Sequence, residues 1–164
     1  DILSNLDFNK FYGADRKVVC PSCGVPHEMA GATLLVSWRK TKRYLIFNRQ
    51  QRLVGWVNIE MRQIKSCYEE VRALEPEIQE VDVIDILHRH HLCAFAFSGI
   101  HTFSPKLFPL MKDYPDKFPI MDFYLQNADR VAIKGIVDDS LRLLDVGKLD
   151  TLDQAESFLI KYGC

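Results

Sequence analysis

The sequence predicts an α/β fold. Strand-like apolar runs and helix-like amphipathic runs alternate through its second half. Hydrophobic residues make up 48% and aromatics 11% of the 164 residues, enough to bury a core of ordinary domain size. No internal repeat or low-complexity segment divides the chain, so residues 1–164 are expected to form a single domain.

The elements follow in order. Asp7 to Lys17, "DFNKFYGADRK", has apolar positions at helical spacing with Asp7 as N-cap, which predicts a short helix. Residues 18–31 break the period with two prolines and two glycines and are expected to be a mobile loop insertion. The β-rich runs "ATLLVSW", "RYLIFN" and "LVGWVNI" follow, and "NRQQR" between the last two has hairpin-loop length, predicting an antiparallel β-ribbon. Cys67 to Ile86 is acidic, carries one proline and favours neither period. "LCAFAFSGIHTF" is a continuous apolar run with an internal glycine, as in a buried strand. "SPKLFPLM" sets serine at an N-cap and proline at the first helical position, and "PIMDFYLQNA" is a second helix. Strands "VAIKGIV" and "LRLLDV" come next. "LDTLDQAESFLIKY" ends the chain as an amphipathic helix capped by Asp150 or Thr151.

Composition removes several function classes. The formal net charge is -1 and the sequence pI is about 6.6, so no basic field is available to neutralise a nucleic-acid backbone. Small polyanionic ligands stay open. No stretch of about 18 apolar residues or signal-peptide pattern occurs, which predicts a soluble, cytoplasmic protein without a membrane partner. Five cysteines, an odd count, fit reduced thiols better than a disulfide framework.

The clearest candidate for chemistry lies near the end. "LLDVG" closes a strand with Asp145 and follows it with Gly147, which permits close backbone approach. In α/β sheets ligands gather at carboxyl ends of strands, so Asp145 either faces a ligand or solvates the strand end and caps the next helix. Asp1 repeats the arrangement in "DILSNLDF", an acid at a strand end leading into a helix. Two carboxylates are the usual protein share of a Mg2+ site, because that ion keeps several waters and takes the rest of its oxygens from substrate phosphates.

Other clusters are less specific. Cys20 and Cys23 form one thiolate knuckle, with His27 as a third donor, which is half of a closed zinc site. Within "HRHH", His88 and His90 would share one face of a strand, either as a metal pair or as solvated strand-edge residues. Arg39, Lys40, Lys42 and Arg43 flank the ribbon and suit either phosphate contact or a solvated turn, and Lys134 and Lys148 pose the same choice. Trp38 and Trp56 suit ribbon packing or stacking on a ring.

Taken together, "DILSNLD", "WRKTKRYLIFNRQQRLVGW", "AFSGIHTFSPKLF", "FPIMDFYL" and "LLDVGKLDTLDQAESFL" resemble, in this order, the carboxyl-terminal part of the sugar-phosphate nucleotidyltransferases, the nucleotide-sugar pyrophosphorylases. The resemblance covers most of the chain outside residues 18–31 and 66–89. It implies a partial Rossmann-like sheet flanked by helices, with Asp1 and Asp145 as the metal ligands of a shared Mg2+. It places Gly99 and Asp122 against the sugar. The partners implied are a nucleoside triphosphate and a sugar 1-phosphate, which react to give a nucleotide sugar and pyrophosphate. The family's glycine-rich triphosphate loop has no counterpart here, and the chain begins without methionine. The resemblance therefore implies a fragment with little activity of its own, an unpaired sheet edge and self-association through that edge. A non-catalytic sugar-phosphate-binding or assembly module is the alternative.

Overall fold

A computed structural model of the chain describes residues 2–15, 30–147 and 152–162. Asp145 is described by its backbone alone. The class is α/β, built on a six-stranded mixed sheet with helices on its faces and a separate two-stranded sheet. No helix among the described residues is long and apolar enough to cross a membrane.

The larger sheet holds β2 (Ala32–Ser37), β3 (Arg43–Phe47), β4 (Leu53–Asn58), β5 (Gln63–Lys65), β6 (Cys93–Phe103) and β7 (Ile133–Val137), in the order β5-β4-β3-β6-β2-β7. Only β2 and β7 run parallel. The expected ribbon is thus revised. β3 and β4 form the hairpin, but β6 inserts between β3 and β2, pairing Phe95 with Leu45 and Ala96 with Ser37. The small sheet pairs β1 (Ile2–Ser4) with β8 (Leu143–Asp145) antiparallel, in a register that sets Ile2 opposite Asp145. Asn5 extends this ladder, its side chain donating to the Ser140 carbonyl at 3.0 Å and accepting from the Arg142 amide at 2.7 Å.

Strand alternation feeds two cores. Leu45 and Phe47 of β3 join Leu34, Leu53 and Phe95 beneath Phe123, Tyr124 and Leu125 of α4 (Ile120–Asn127). Ile46 points the other way, onto Val54, Val57 and Ile64, beneath Val71 of α2 (Glu69–Arg72) and Val83, Ile86 and Leu87 of α3 (Val83–Arg89). With apolar side chains buried on both faces, the strands read as continuous apolar runs.

Local chemistry explains the helix boundaries. Asp7 caps α1 (Phe8–Asp15) by accepting from the Lys10 amide at 3.0 Å. The ambiguous stretch at 67–86 is helical but broken by Pro76, which stands at the cap of a 3-10 turn, Glu77–Gln79. Asp82 then caps α3 through the amides of Ile84 and Asp85 at 2.9 and 3.3 Å. After Ser104 the helix is of the tight 3-10 kind, Pro105–Met111, with Ser104 accepting from the Lys106 amide and Pro109 removing an internal donor. α5 (Leu152–Tyr162) is the expected terminal helix, and its proposed caps, Asp150 and Thr151, lie outside the described residues. His88 stands in the last turn of α3 with His90 as its C-cap, so the histidines end a helix and are not strand-edge residues.

The long strand β6 has an asymmetric edge. β2 follows it from Ala96 to Phe103, whereas β3 pairs it only from Cys93 to Phe95. Among the described residues, no strand covers the second side of β6 from Ser98 to Phe103. Of the insertion at 18–31 only Ala30 and Gly31 are described. Both are packed in: Ala30 is buried, and the Gly31 amide donates to the Ala132 carbonyl at 2.7 Å.

Candidate functional site

The register of the sheet assembles a site from residues far apart in sequence. Lys65, Trp56, Leu45 and Phe95 stand in one rank across β5, β4, β3 and β6. Two residues along β3 and β6, Arg43 and Phe97 share the same face by strand alternation. This face is the floor of a cleft of about 380 Å³. Its wall is one side of α4, where the half-buried Met121 and Asp122 and the buried Leu125 line the opening while Phe123 and Tyr124 pack downward. The cleft continues past Lys65, Asp122 and Leu125 into a hollow of about 480 Å³ at Ser66, Cys67 and Gln126. Both volumes are of ligand-pocket size.

The lining combines aromatic surface with cations. Trp56 and Phe97 present ring area, while the Tyr44 ring packs into the core on the other face of the sheet. Arg39, Arg43 and Lys65 surround the rings, with Asp122 as the sole carboxylate among the described lining residues. Lys65 Nζ lies 5.3 Å from the centroid of the Trp56 ring, within cation–π reach. Arg39 Nη2 donates to the Phe97 carbonyl at 3.2 Å, which places the guanidinium beside the short edge where β3 and β6 part. Trp38 packs instead, edge-on to Phe95 with ring centroids 4.5 Å apart.

Of the sequence-derived site residues, Asp122 lies in this cleft. Gly99 lies on β6 two residues beyond Phe97, exposed, with φ of 87°. That left-handed backbone suits glycine, and the bare Cα leaves the strand surface open to a ligand's approach. Gly99 is not among the residues lining the cleft. Asp145 ends β8 in the small sheet. Its ladder partner is Ile2, the chain neighbour of Asp1, which lies outside the described residues. Cys20, Cys23, His27 and Lys148 are also outside them. Among the described residues, no three His, Cys, Asp or Glu side chains converge as a metal site.

Beside Gly99 is a pair that sequence reasoning did not single out. His101 Nδ1 and the Tyr124 hydroxyl are 2.6 Å apart. Burial pushes the Tyr124 phenol far up and the His101 imidazole down, so both stay neutral at physiological pH and the bond joins two uncharged groups. The signal was faint, a histidine within an apolar run. Lys65 was hidden because a three-residue edge strand leaves no visible period. Burial raises the Cys67 thiol, which keeps it protonated and poorly nucleophilic.

Compared with protein-family models the chain matches none, and no curated protein matches it.

Proposed function

We propose that this chain is the sugar-phosphate-binding part of a sugar-1-phosphate nucleotidyltransferase with a partial Rossmann-like fold. The observation that supports the reading is the β1–β8 pairing, which closes the two ends of the sequence on each other and sets Ile2 opposite Asp145. Two acid-bearing segments from opposite ends of the chain are thereby drawn to one small sheet. The cleft below α4 supports it further by offering ring surface, a carboxylate for hydroxyl donors and cations in one place.

In the proposed reaction a phosphate oxygen of the sugar 1-phosphate attacks the α-phosphorus of a nucleoside triphosphate. A new P–O bond forms as the bond to the bridging oxygen breaks, and the electron pair departs with pyrophosphate. Such transfers need positioning and charge neutralisation more than covalent help. Asp1 and Asp145, as hard oxygen donors, would hold Mg2+, which would supply positive charge to the phosphates. Asp122 accepts from sugar hydroxyls, and Gly99 leaves space for the ring. A triphosphate-binding loop would come from a longer protein, because preorganised amide donors cannot be replaced by the metal alone.

Calorimetric titration with glucose 1-phosphate tests the binding half. Expected is Mg2+-dependent binding that Asp145→Asn weakens about tenfold or more, through loss of a hard-oxygen ligand. Binding indifferent to both removes the reading. A pyrophosphate-release assay with the four common nucleoside triphosphates and a panel of sugar 1-phosphates tests the chemistry. The chain alone is expected to stay well below about 1 per second, the low end of ordinary enzymes, whereas the longer protein turns over. Binding without turnover in both would favour the non-catalytic module.

A further inference from the structure

We infer that the sugar bound in the cleft carries an anionic group on its ring in addition to the 1-phosphate, so that the ligand is an acidic or doubly phosphorylated pyranose. The inference rests on the preceding reading, in which the 1-phosphate is held at the Asp1 and Asp145 end. The fully described residues of those two strands, Leu3 and Ser4 of β1 and Leu143 and Leu144 of β8, are not among those lining the cleft. The cations that do line it therefore face a different part of the ligand.

Charge accounting carries the inference. Among the described lining residues Arg39, Arg43 and Lys65 meet one carboxylate, Asp122, in a chain whose formal net charge is -1. Among the described residues none of the three cations forms an ion pair, with Asp122 or with any other acid. Their neighbour Lys42 behaves otherwise, with its Nζ 2.7 Å from Glu60 Oε1 at the strand turn. A solvated charge run would treat these side chains alike. Here the sheet register sends Arg43 to the cleft face, and Lys65 is brought in from another strand over Trp56.

Three cations are more than a neutral sugar needs. Hydroxyl groups are well served by a carboxylate and by backbone, whereas a guanidinium fork matches a carboxylate or phosphate in planar, paired hydrogen bonds. The aromatic rings of Trp56 and Phe97 offer the apolar face of a pyranose a surface while Arg43 and Lys65 reach its substituent.

The test compares affinities at equal Mg2+ for α-D-glucose 1-phosphate, α-D-glucuronic acid 1-phosphate and α-D-glucose 1,6-bisphosphate. Wild-type chain is set against the double variant Arg43→Gln/Lys65→Gln, whose fold is checked by its urea midpoint. Expected is about a tenfold or greater preference for at least one of the doubly charged ligands, with the two arms separating carboxylate from phosphate. In the variant the preference falls to about one. Equal wild-type affinities for all three, or a preference that survives in the variant, overturn the inference. Methyl α-D-glucuronide, which lacks the phosphate, separates this failure from failure of the transfer reading. If glucose 1-phosphate binding ignores Mg2+ and Asp145→Asn, while the glucuronide still binds through Arg43 and Lys65, the transfer reading falls and the acidic-sugar cleft stands. If glucose 1-phosphate keeps its metal dependence and no acidic preference exists, this inference alone falls.

Discussion

Replacing Gly135 by alanine should destabilise the fold by about 1–2 kcal/mol. Gly135 lies in β7 directly against Phe47. A methyl group there would sit 2.8 Å from Cε1, 3.0 Å from Cζ and 3.2 Å from Cδ1 of that ring. Ordinary carbon contacts begin at about 3.5 Å, so ring or strand must give by about 0.7 Å. Neither has room. Phe47 is fully buried, with its centroid 5.8 Å from that of Phe95, and β7 is held by pairing with Leu34 and by the Gly135 amide donating to the Gln51 carbonyl at 2.9 Å. Overpacking of this kind costs about 1–3 kcal/mol. The stiffer unfolded chain of an alanine variant offsets about 0.4–1 kcal/mol. At this chain length the net loss lowers Tm by about 2–8 °C. Urea unfolding should show a lower midpoint with an unchanged slope. The companion Gly135→Ala/Phe47→Leu should recover a coupling energy of at least about 0.5 kcal/mol relative to the sum of the single variants. A Gly135→Ala protein as stable as wild type, or a coupling of zero, would refute the packing argument.

Asp82→Ala should cost about 1 kcal/mol, since it frees the amides of Ile84 and Asp85 at the start of α3, and urea unfolding reads this directly. His101 titrates below its ordinary value of 6.5 because it is desolvated. The unfolded chain therefore binds a proton that the folded chain refuses, and stability is full above that value and falls as the pH drops through it. The loss in urea midpoint between about pH 7.5 and 5.5 should be smaller in His101→Asn, which bonds the Tyr124 hydroxyl without titrating; equal losses would exclude the histidine. The side of β6 from Ser98 to Phe103 that no described strand covers should promote pairing with a second copy, visible as concentration-dependent sedimentation between about 10 μM and 1 mM. A monomer throughout that range would show the edge to be protected.

Local signals in this sequence translated well into local structure. The caps Asp7 and Ser104, the β3–β4 hairpin and the α4 helix all stand where short-range chemistry places them. Pairing did not translate, because β2 and β3 are neighbours in sequence and β6 arrives from far along the chain to separate them. Nothing within "ATLLVSW" or "RYLIFN" distinguishes a neighbour at hairpin distance from one delivered by a crossover. The histidines misled for a related reason. "HRHH" runs into the apolar stretch of β6, whereas its own backbone belongs to the helix begun by Asp82.

The cleft shows the same division between what is local and what is not. Asp122 was visible through its place in "FPIMDFYL", and its helix carries it to the cleft wall as a unit. Arg43 was visible as well, but as one member of a charged run in which each residue has an equal claim to solvent. Its role is decided by strand parity. Lys42 lies just before the strand and meets Glu60, whereas Arg43 opens the strand and shares the face of Leu45. Lys65 joins them only because Trp56 pairs with Leu45 on one side and with Lys65 on the other. Each cation alone is an ordinary exposed side chain. The register gathers Arg43 and Lys65 over a strip of aromatic surface, and Arg39 joins them through its bond to the Phe97 carbonyl. Among the described lining residues only Asp122 opposes these three charges, and that imbalance is what an anionic ligand would answer.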